Sequence, residues 1–302
     1  MRILALYGFA PHTTANYMVK ALKAEGHDVR TAGGTADLLA WANPYRVAGP
    51  HDYPLAQGQP LKLGEWKPEL TLWIESGMVD LSLLDGLTGQ TAAWMIDTHN
   101  PGKFVWHQKI APRFDRVFCA MLPAANELPG AHWLPLACDP DIHTPRTTVK
   151  THDIGWVGGD YRTASLYAER FRLMDALKRR YACNFAHGVY FEDMADVYGQ
   201  ARIGWHHSVT GSDLDMRPFE IMCSGTVLVT DHSNDSGLTD ELFYRGVDVQ
   251  TYGRESDLYE TIDWLLAEPD HAERTGAAGR AAVLAAHTYA HRARELIEVV
   301  NA

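Results

Sequence analysis

Residues 213–231, DLDMRPFEIMCSGTVLVTD, constrain the fold of this chain more than any other stretch. A polar lead-in with Asp213 and Asp215 meets Arg217 and Pro218. Proline is tolerated in a first helical turn, where its missing N–H would have had no intrahelical partner. Glu220 follows on that turn, and Gly225 stands where a helix would stop. Thr226 to Thr230 is then apolar enough to read as a strand of a parallel sheet covered on both faces. Parallel strands need crossover connections, so a short helix feeding directly into such a strand points to an α/β protein. The helix start is a positive end that favours anions, and it is expected to face a ligand cleft. Glu220 beside it can accept hydrogen bonds from sugar hydroxyls or simply suit the helix dipole. The residues alone leave both readings open.

The same alternation runs along the whole chain. Strands are predicted at 2–7, 28–32, 71–74, 91–96 and 116–120, with helices at 14–25 and 35–42. A second block has strands at 153–157, 182–186, 202–205, 226–230 and 247–250. Its helices are predicted at 163–180, 191–199, 217–223, 238–243 and 256–267, with a helical tail near 270–300 broken around His287 to Tyr289. The fold class expected is α/β, with two Rossmann-like, doubly wound domains. The first spans 1–140. A linker at 141–152 follows Asp139-Pro140 and carries Pro145 and a polar run. The second domain spans 153–285, and 286–302 forms a last helix. Residues 43–68 break the rhythm with five prolines and read as a long excursion, either a surface loop or part of a ligand site.

Charge and cysteine usage limit the function classes. The 302 residues carry a net charge of −11. That disfavours nucleic acid as a partner, since such surfaces are usually basic. Cys119, Cys138, Cys183 and Cys223 form no C-x-x-C pair and read as reduced thiols of a cytoplasmic protein. No signal peptide is visible, and no run reaches the roughly 18 apolar residues a membrane span needs. Oligomeric state is not legible. His206-His207 and the pair His287 and His291 lack acidic or thiol partners at ligand spacing, so no metal is expected. Asp213-Leu214-Asp215 spells D-x-D, but before a second-domain helix it reads as loop or capping.

Ligand sites of doubly wound sheets lie beyond the carboxyl ends of the strands. Gly8 and His12 follow the first strand there, though without a G-x-G-x-x-G or P-loop pattern. Asp97 and His99 follow another strand two residues apart, and either can take a proton from an acceptor hydroxyl. Gly158 and Gly159 permit close backbone approach after the second domain's first strand, with Tyr161 beside them. Arg162 can pair with a diphosphate, helped by a helix expected from about Thr163. Gly188, in His187-Gly188-Val189-Tyr190-Phe191, stands at a further strand end, where its backbone can meet a base edge and the aromatics can pack on a ring or in the core.

The segment FEIMCSGTVLVTD (219–231) resembles the glutamate-bearing helix and strand of GT-B glycosyltransferases, in particular the CgeB-like group. WLPLACDPDIH (133–143), DIGWVGG (153–159), HGVYFEDM (187–194) and HTYAHR (287–292) resemble further parts of that group in order and spacing. Together they cover most of residues 91–302, while the first 90 match only loosely. The resemblance implies a GT-B arrangement, with the two domains facing a cleft and the last helix crossing back to the first. It implies a metal-independent transferase that moves a sugar from a nucleotide-diphosphate donor, a UDP-sugar first among them, to a hydroxyl acceptor. Glu220 would hold the ribose, with Gly158, Gly159, Tyr161, Arg162, Gly188, Asp213 and Arg217 also on the donor side. Gly8 and His12 would serve the acceptor, and Asp97 or His99 catalysis. Retaining relatives carry Glu-x7-Glu. Here Ser212 takes the first place, so that role is not carried over and the stereochemistry stays open. The alternatives are a phage-type transferase acting on DNA bases, a non-catalytic nucleotide-sugar-binding protein and an epimerase.

Overall fold

The computed structural model describes residues 1–9, 13–34, 51–55, 60–75, 81–211, 213–231 and 237–302. The chain divides into two compact units, Met1–Pro135 with Tyr289–Ala302, and Leu136–Thr288.

Unit 1 runs β1 (Arg2–Leu6), α1 (Thr14–Ala24), β2 (Asp28–Gly34), β3 (Tyr53–Leu55), β4 (Leu70–Ile74), β5 (Gln90–Met95), α2 (Pro101–Ile110), β6 (Arg116–Cys119), α3 (Leu122–Glu127) and β7 (Ala131–Trp133). The seven strands form one parallel sheet in the order β3-β2-β1-β4-β5-β6-β7. β4 is buried along its whole length, as its LTLWI sequence demands of a strand covered on both faces. At Gly33 a Cβ would fall 1.8 Å from the carbonyl oxygen of Tyr7, so only glycine lets β2 pass the end of β1.

Unit 2 contains β8 (His152–Gly158), α4 (Ala168–Lys178), β9 (Cys183–His187), α5 (Phe191–Gly199), β10 (Ala201–Trp205), α6 (Arg217–Cys223), β11 (Val227–Asp231), β12 (Gln250–Tyr252), α7 (Glu255–Ala267) and α8 (Pro269–Ala286). Its five strands are parallel in the order β12-β11-β10-β8-β9. Trp156, Trp205, Phe171, Met174 and Val229 fill its core. Gly225 follows α6 at φ +79°, the left-handed turn that ends a helix at little cost only with glycine.

The last helix, α9 (Tyr289–Asn301), belongs to unit 1 and packs on α1. Tyr289, Ala293, Leu296 and Val300 form its buried stripe, and burying a leucine of this kind stabilises by about 2 kcal/mol. The Tyr289 ring stacks on Tyr17 at 5.1 Å. Arg292 Nε donates to the Pro135 carbonyl at 2.7 Å.

Several elements differ from the sequence expectation. Part of the 43–68 excursion is the edge strand β3, paired with β2 from Ala32↔Tyr53 to Gly34↔Leu55. Pro54 is tolerated at an edge, where its missing N–H breaks no ladder. The strand expected at 247–250 is Gln250–Tyr252 instead. The helix expected from Thr163 starts at Ala168, after a 3-10 turn at Ser165–Tyr167. The helix expected at 35–42 lies outside the described residues.

Candidate functional site

In each sheet the strand order reverses once, between β1 and β4 in unit 1 and between β8 and β10 in unit 2. The carboxyl ends of such strand pairs leave a crevice where ligands of doubly wound sheets bind.

In unit 2 that edge carries a buried cluster of charged groups. Arg217 opens α6 and donates from Nε to the carbonyl of Val157 at 2.7 Å. Its guanidinium also lies 5.1 Å from the centre of the Trp156 ring and pairs with Asp215. A Cβ on Gly158 would meet the Trp156 ring at 2.5 Å and Arg217 Nη2 at 2.7 Å. Gly158 thus makes room for this stack. Asp215 accepts from the Arg217 backbone N–H at 2.9 Å and sits 3.4 Å from His206 Nε2. Burial would raise its pKa, but Arg217, His206 and Arg170 outweigh burial and hold it well below the usual carboxylate range. Arg170, from α4, donates from Nε to the His207 carbonyl at 2.7 Å and reaches Asp215 at 3.7 Å. Its Nη2 is buried without a hydrogen bond.

Glu220 lies on the same turn of α6 as Arg217 and is 4% exposed. No described residue donates a hydrogen bond to its carboxyl oxygens. Burial pushes its pKa up to about 8, with Arg217 opposing and Asp215 adding to the rise. A carboxyl held this way is short of hydrogen-bond donors, and a ligand's hydroxyls would supply them. The Tyr198 hydroxyl, buried beside the Val157 backbone, faces the same charges.

The remaining predicted donor-side residues are placed as follows. Asp213 is buried and accepts from the N–H groups of Val209 and Thr210, both at 2.7 Å, which folds the loop before α6. Arg162 makes a two-pronged pair with Asp175, both bonds 3.0 Å, and lies over Phe171. A Cβ at Gly159 would strike the Tyr161 ring at 2.4 Å, and that ring packs on Tyr167. Gly188 takes φ +66° in an exposed turn, and Phe191 takes φ +57°, a strained value for an aromatic residue. His187 Nδ1 is 3.1 Å from the Gly158 carbonyl oxygen, which joins the loops after β8 and β9. His206 and His207 are bonded to Thr230 and Tyr252. Among the described residues no group of three or more His, Cys, Asp or Glu is placed to hold a metal ion.

In unit 1, Gly8 is buried after β1, and His12 lies outside the described residues. Asp97 follows β5 and is ion-paired with Lys103. His99 Nδ1 is buried without a hydrogen bond. Asn100 caps α2, accepting from the N–H groups of Gly102 and Lys103. Glu75, just past β4, accepts from the N–H groups of Ile96 and Asp97 at 2.8 and 3.0 Å. It also lies 2.9 Å from His107 Nε2 and 3.3 Å from Lys103 Nζ. Burial opposes ionisation, but His107, Lys103 and the Asp97 N–H bring its pKa to about 2.

Sequence reasoning missed Arg170 and Glu75. Arg170 had a signal, since it shares the buried face of α4 with Phe171, Leu173, Met174 and Leu177. Glu75 had none beyond its place after an apolar run.

Residues 157–298 match the family model described as glycosyl transferase-like. No curated protein sequence matches the chain. Among solved structures, a sucrose-phosphate synthase from Thermosynechococcus elongatus is 14% identical, with 100% of this chain and 98% of that one covered and a TM-score of 0.65. Anabaena Alr3699/HepE in complex with UDP-glucose is 11% identical, with coverage of 100% and 99% and a TM-score of 0.66. An α-glucosyltransferase (AGT) in complex with UDP is 11% identical, with 100% of both chains covered and a TM-score of 0.65. Identities this low speak for the fold, which is GT-B, while the family match is confined to residues 157–298.

Proposed function

We propose that this chain, GT-B in fold and glycosyl transferase-like over residues 157–298, transfers a sugar from a UDP-sugar to a hydroxyl acceptor without a metal ion. The observation that carries the reading is Glu220, a buried carboxyl short of hydrogen-bond donors in the first turn of α6, inside the matched stretch. Ribose hydroxyls are the ligand groups it suits. UDP heads the candidate nucleotides because two of the similar structures hold UDP or UDP-glucose.

Arg217 and Arg170 flank Asp215 and are the cations proposed to meet a diphosphate. The backbone of Gly158 and Gly159 is proposed to lie along the phosphates, with Tyr161 beside them and Gly188 near the base. Asp213 acts by folding the loop that precedes α6. Arg162 joins the phosphates by leaving Asp175. Cationic groups already in place where the leaving diphosphate gains charge lower the barrier without reorganisation during the reaction. On unit 1, Gly8, His12, Asp97 and His99 are the acceptor-side and catalytic candidates. Of the two possible bases, His99 has the ring nitrogen without a hydrogen bond, whereas Asp97 is engaged by Lys103.

The test is a thermal-shift series with UDP, GDP, ADP, CDP and TDP, followed by UDP-sugar turnover with and without EDTA. A ligand that binds only the folded state raises its melting temperature. The expected result is a shift with UDP that Glu220→Ala abolishes, and turnover unaffected by EDTA. No shift with any nucleotide would overturn the site, and UDP binding without turnover would leave a binding protein.

A further inference from the structure

A second cavity, of about 480 Å³, opens at the opposite, amino-terminal edge of the unit 2 sheet. Lys150 precedes β8, Arg202 is the second residue of β10, and Arg280 reaches in from α8. Glu273 is the one carboxylate that lines it. Three cations against one acid is a local surplus on a chain whose net charge is −11. None of these groups belongs to the cluster around Glu220.

The cations are only partly occupied. Lys150 Nζ donates to the carbonyls of Gly199 and Ala201 at 3.0 and 2.7 Å, and an ammonium has a third proton to give. Arg280 donates to the Cys223 carbonyl and, at 3.2 Å, to Thr144 Oγ1, which leaves three of its five N–H groups. Among the described residues neither has a carboxylate within 4.0 Å. Arg202 has Asp153 at 4.0 Å, and its side chain is 48% exposed. The first turn of α8 also borders the cavity, its positive end offset by Asp270. Half-buried Lys150 and Arg280, with no described carboxylate within 4.0 Å, and the exposed Arg202 together attract an anion with several acceptor oxygens. The volume is that of a small-molecule pocket.

We propose that this pocket is a second ligand site, for a small phosphate-bearing metabolite, separate from the nucleotide site. The proposal does not rest on the sugar-transfer reading.

The experiment is titration calorimetry of the full chain with pyrophosphate in the presence of saturating UDP, which fills the cluster around Arg217, at fixed ionic strength and with sodium chloride as control. It compares the wild type with Arg202→Glu and with Glu220→Ala. Pyrophosphate is expected to bind the wild type and Glu220→Ala alike, and Arg202→Glu about tenfold or more weakly, because a charge-assisted contact becomes repulsive. The UDP thermal shift of Arg202→Glu should equal that of the wild type. If Arg202→Glu melts early, Arg202→Gln is read in its place. Absence of binding beyond the chloride control, equal binding by the Arg202 variants, or loss with Glu220→Ala would each overturn the proposal.

Discussion

Glu75 and Glu220 are both buried glutamates at the carboxyl edge of a parallel sheet, yet the two units hold them in opposite states. Glu75 is surrounded by two backbone N–H groups, a lysine and a histidine, and its pKa falls to about 2. Glu220 has one arginine near it and no hydrogen-bond donor from the described residues, and its pKa rises to about 8. Burial pushes both in the same direction, so the partners decide the outcome. A carboxylate met by several donors belongs to the fold, where it ties the end of β4 to the start of the turn after β5. A carboxyl buried without donors costs stability, and in this fold it sits where a ligand can supply them.

Removing Glu75 should have the largest effect. Glu75→Ala leaves His107 and two backbone N–H groups without their acceptor and Lys103 with Asp97 alone, and the expected loss is about 3–5 kcal/mol in urea unfolding. A loss under about 1 kcal/mol would erase the contrast, since that is what an exposed pair contributes. The same partners make the stability from Glu75 present above about pH 4.5 and lost as pH falls toward 2.

Glu220 should show the reverse sign. The fold favours its protonated form, so its contribution is complete below about pH 4.5 and is lost as pH rises through 8. Glu220→Gln should match the wild type below about pH 4.5 and exceed it by roughly 4–5 kcal/mol at pH 9, at about 1.4 kcal/mol per pKa unit over the rise to about 8. Urea midpoints across that range check it, and parallel curves would remove the buried-acid reading.

The cost in binding is smaller. Glu220→Ala should weaken UDP by about 10–100-fold, the worth of two hydrogen bonds between its carboxyl and the ribose hydroxyls. Calorimetry at pH 7 measures it, and unchanged affinity would place the ribose elsewhere. Smallest of all is Arg162→Ala. Its pair with Asp175 is exposed, so the expected stability loss is under about 1 kcal/mol. A tenfold drop in UDP affinity in the same variant would show that Arg162 exchanges Asp175 for the phosphates.

The sequence was most legible where local chemistry and tertiary role coincide. Strands such as LTLWI and TVLVTD are apolar on both faces because both faces are covered, and α6 runs from Arg217 to Cys223 as its proline and Gly225 indicate. β3 was hidden by prolines, and it survives only as an edge. α2 carried a start signal in Asn100-Pro101, but only His107 and Ile110 are buried, so no apolar stripe announced it. At the site, Glu220 and Arg217 stood out because they open a recognisable helix. Arg170 and Glu75 acquire their character from partners distant in sequence, such as Asp215 and His107, and no local pattern encodes that.

The placement of α9 has a consequence for the order in which the protein is made. Unit 2 is one continuous stretch, whereas unit 1 joins Met1–Pro135 to Tyr289–Ala302. Domains usually fold in the order they leave the ribosome. Here the nascent chain can complete the later unit while the earlier one still exposes the surface of α1 that waits for Tyr289 and Leu296. The unit begun first is finished last, and a ribosome stalled before residue 289 would leave an incomplete first half attached to a complete second one.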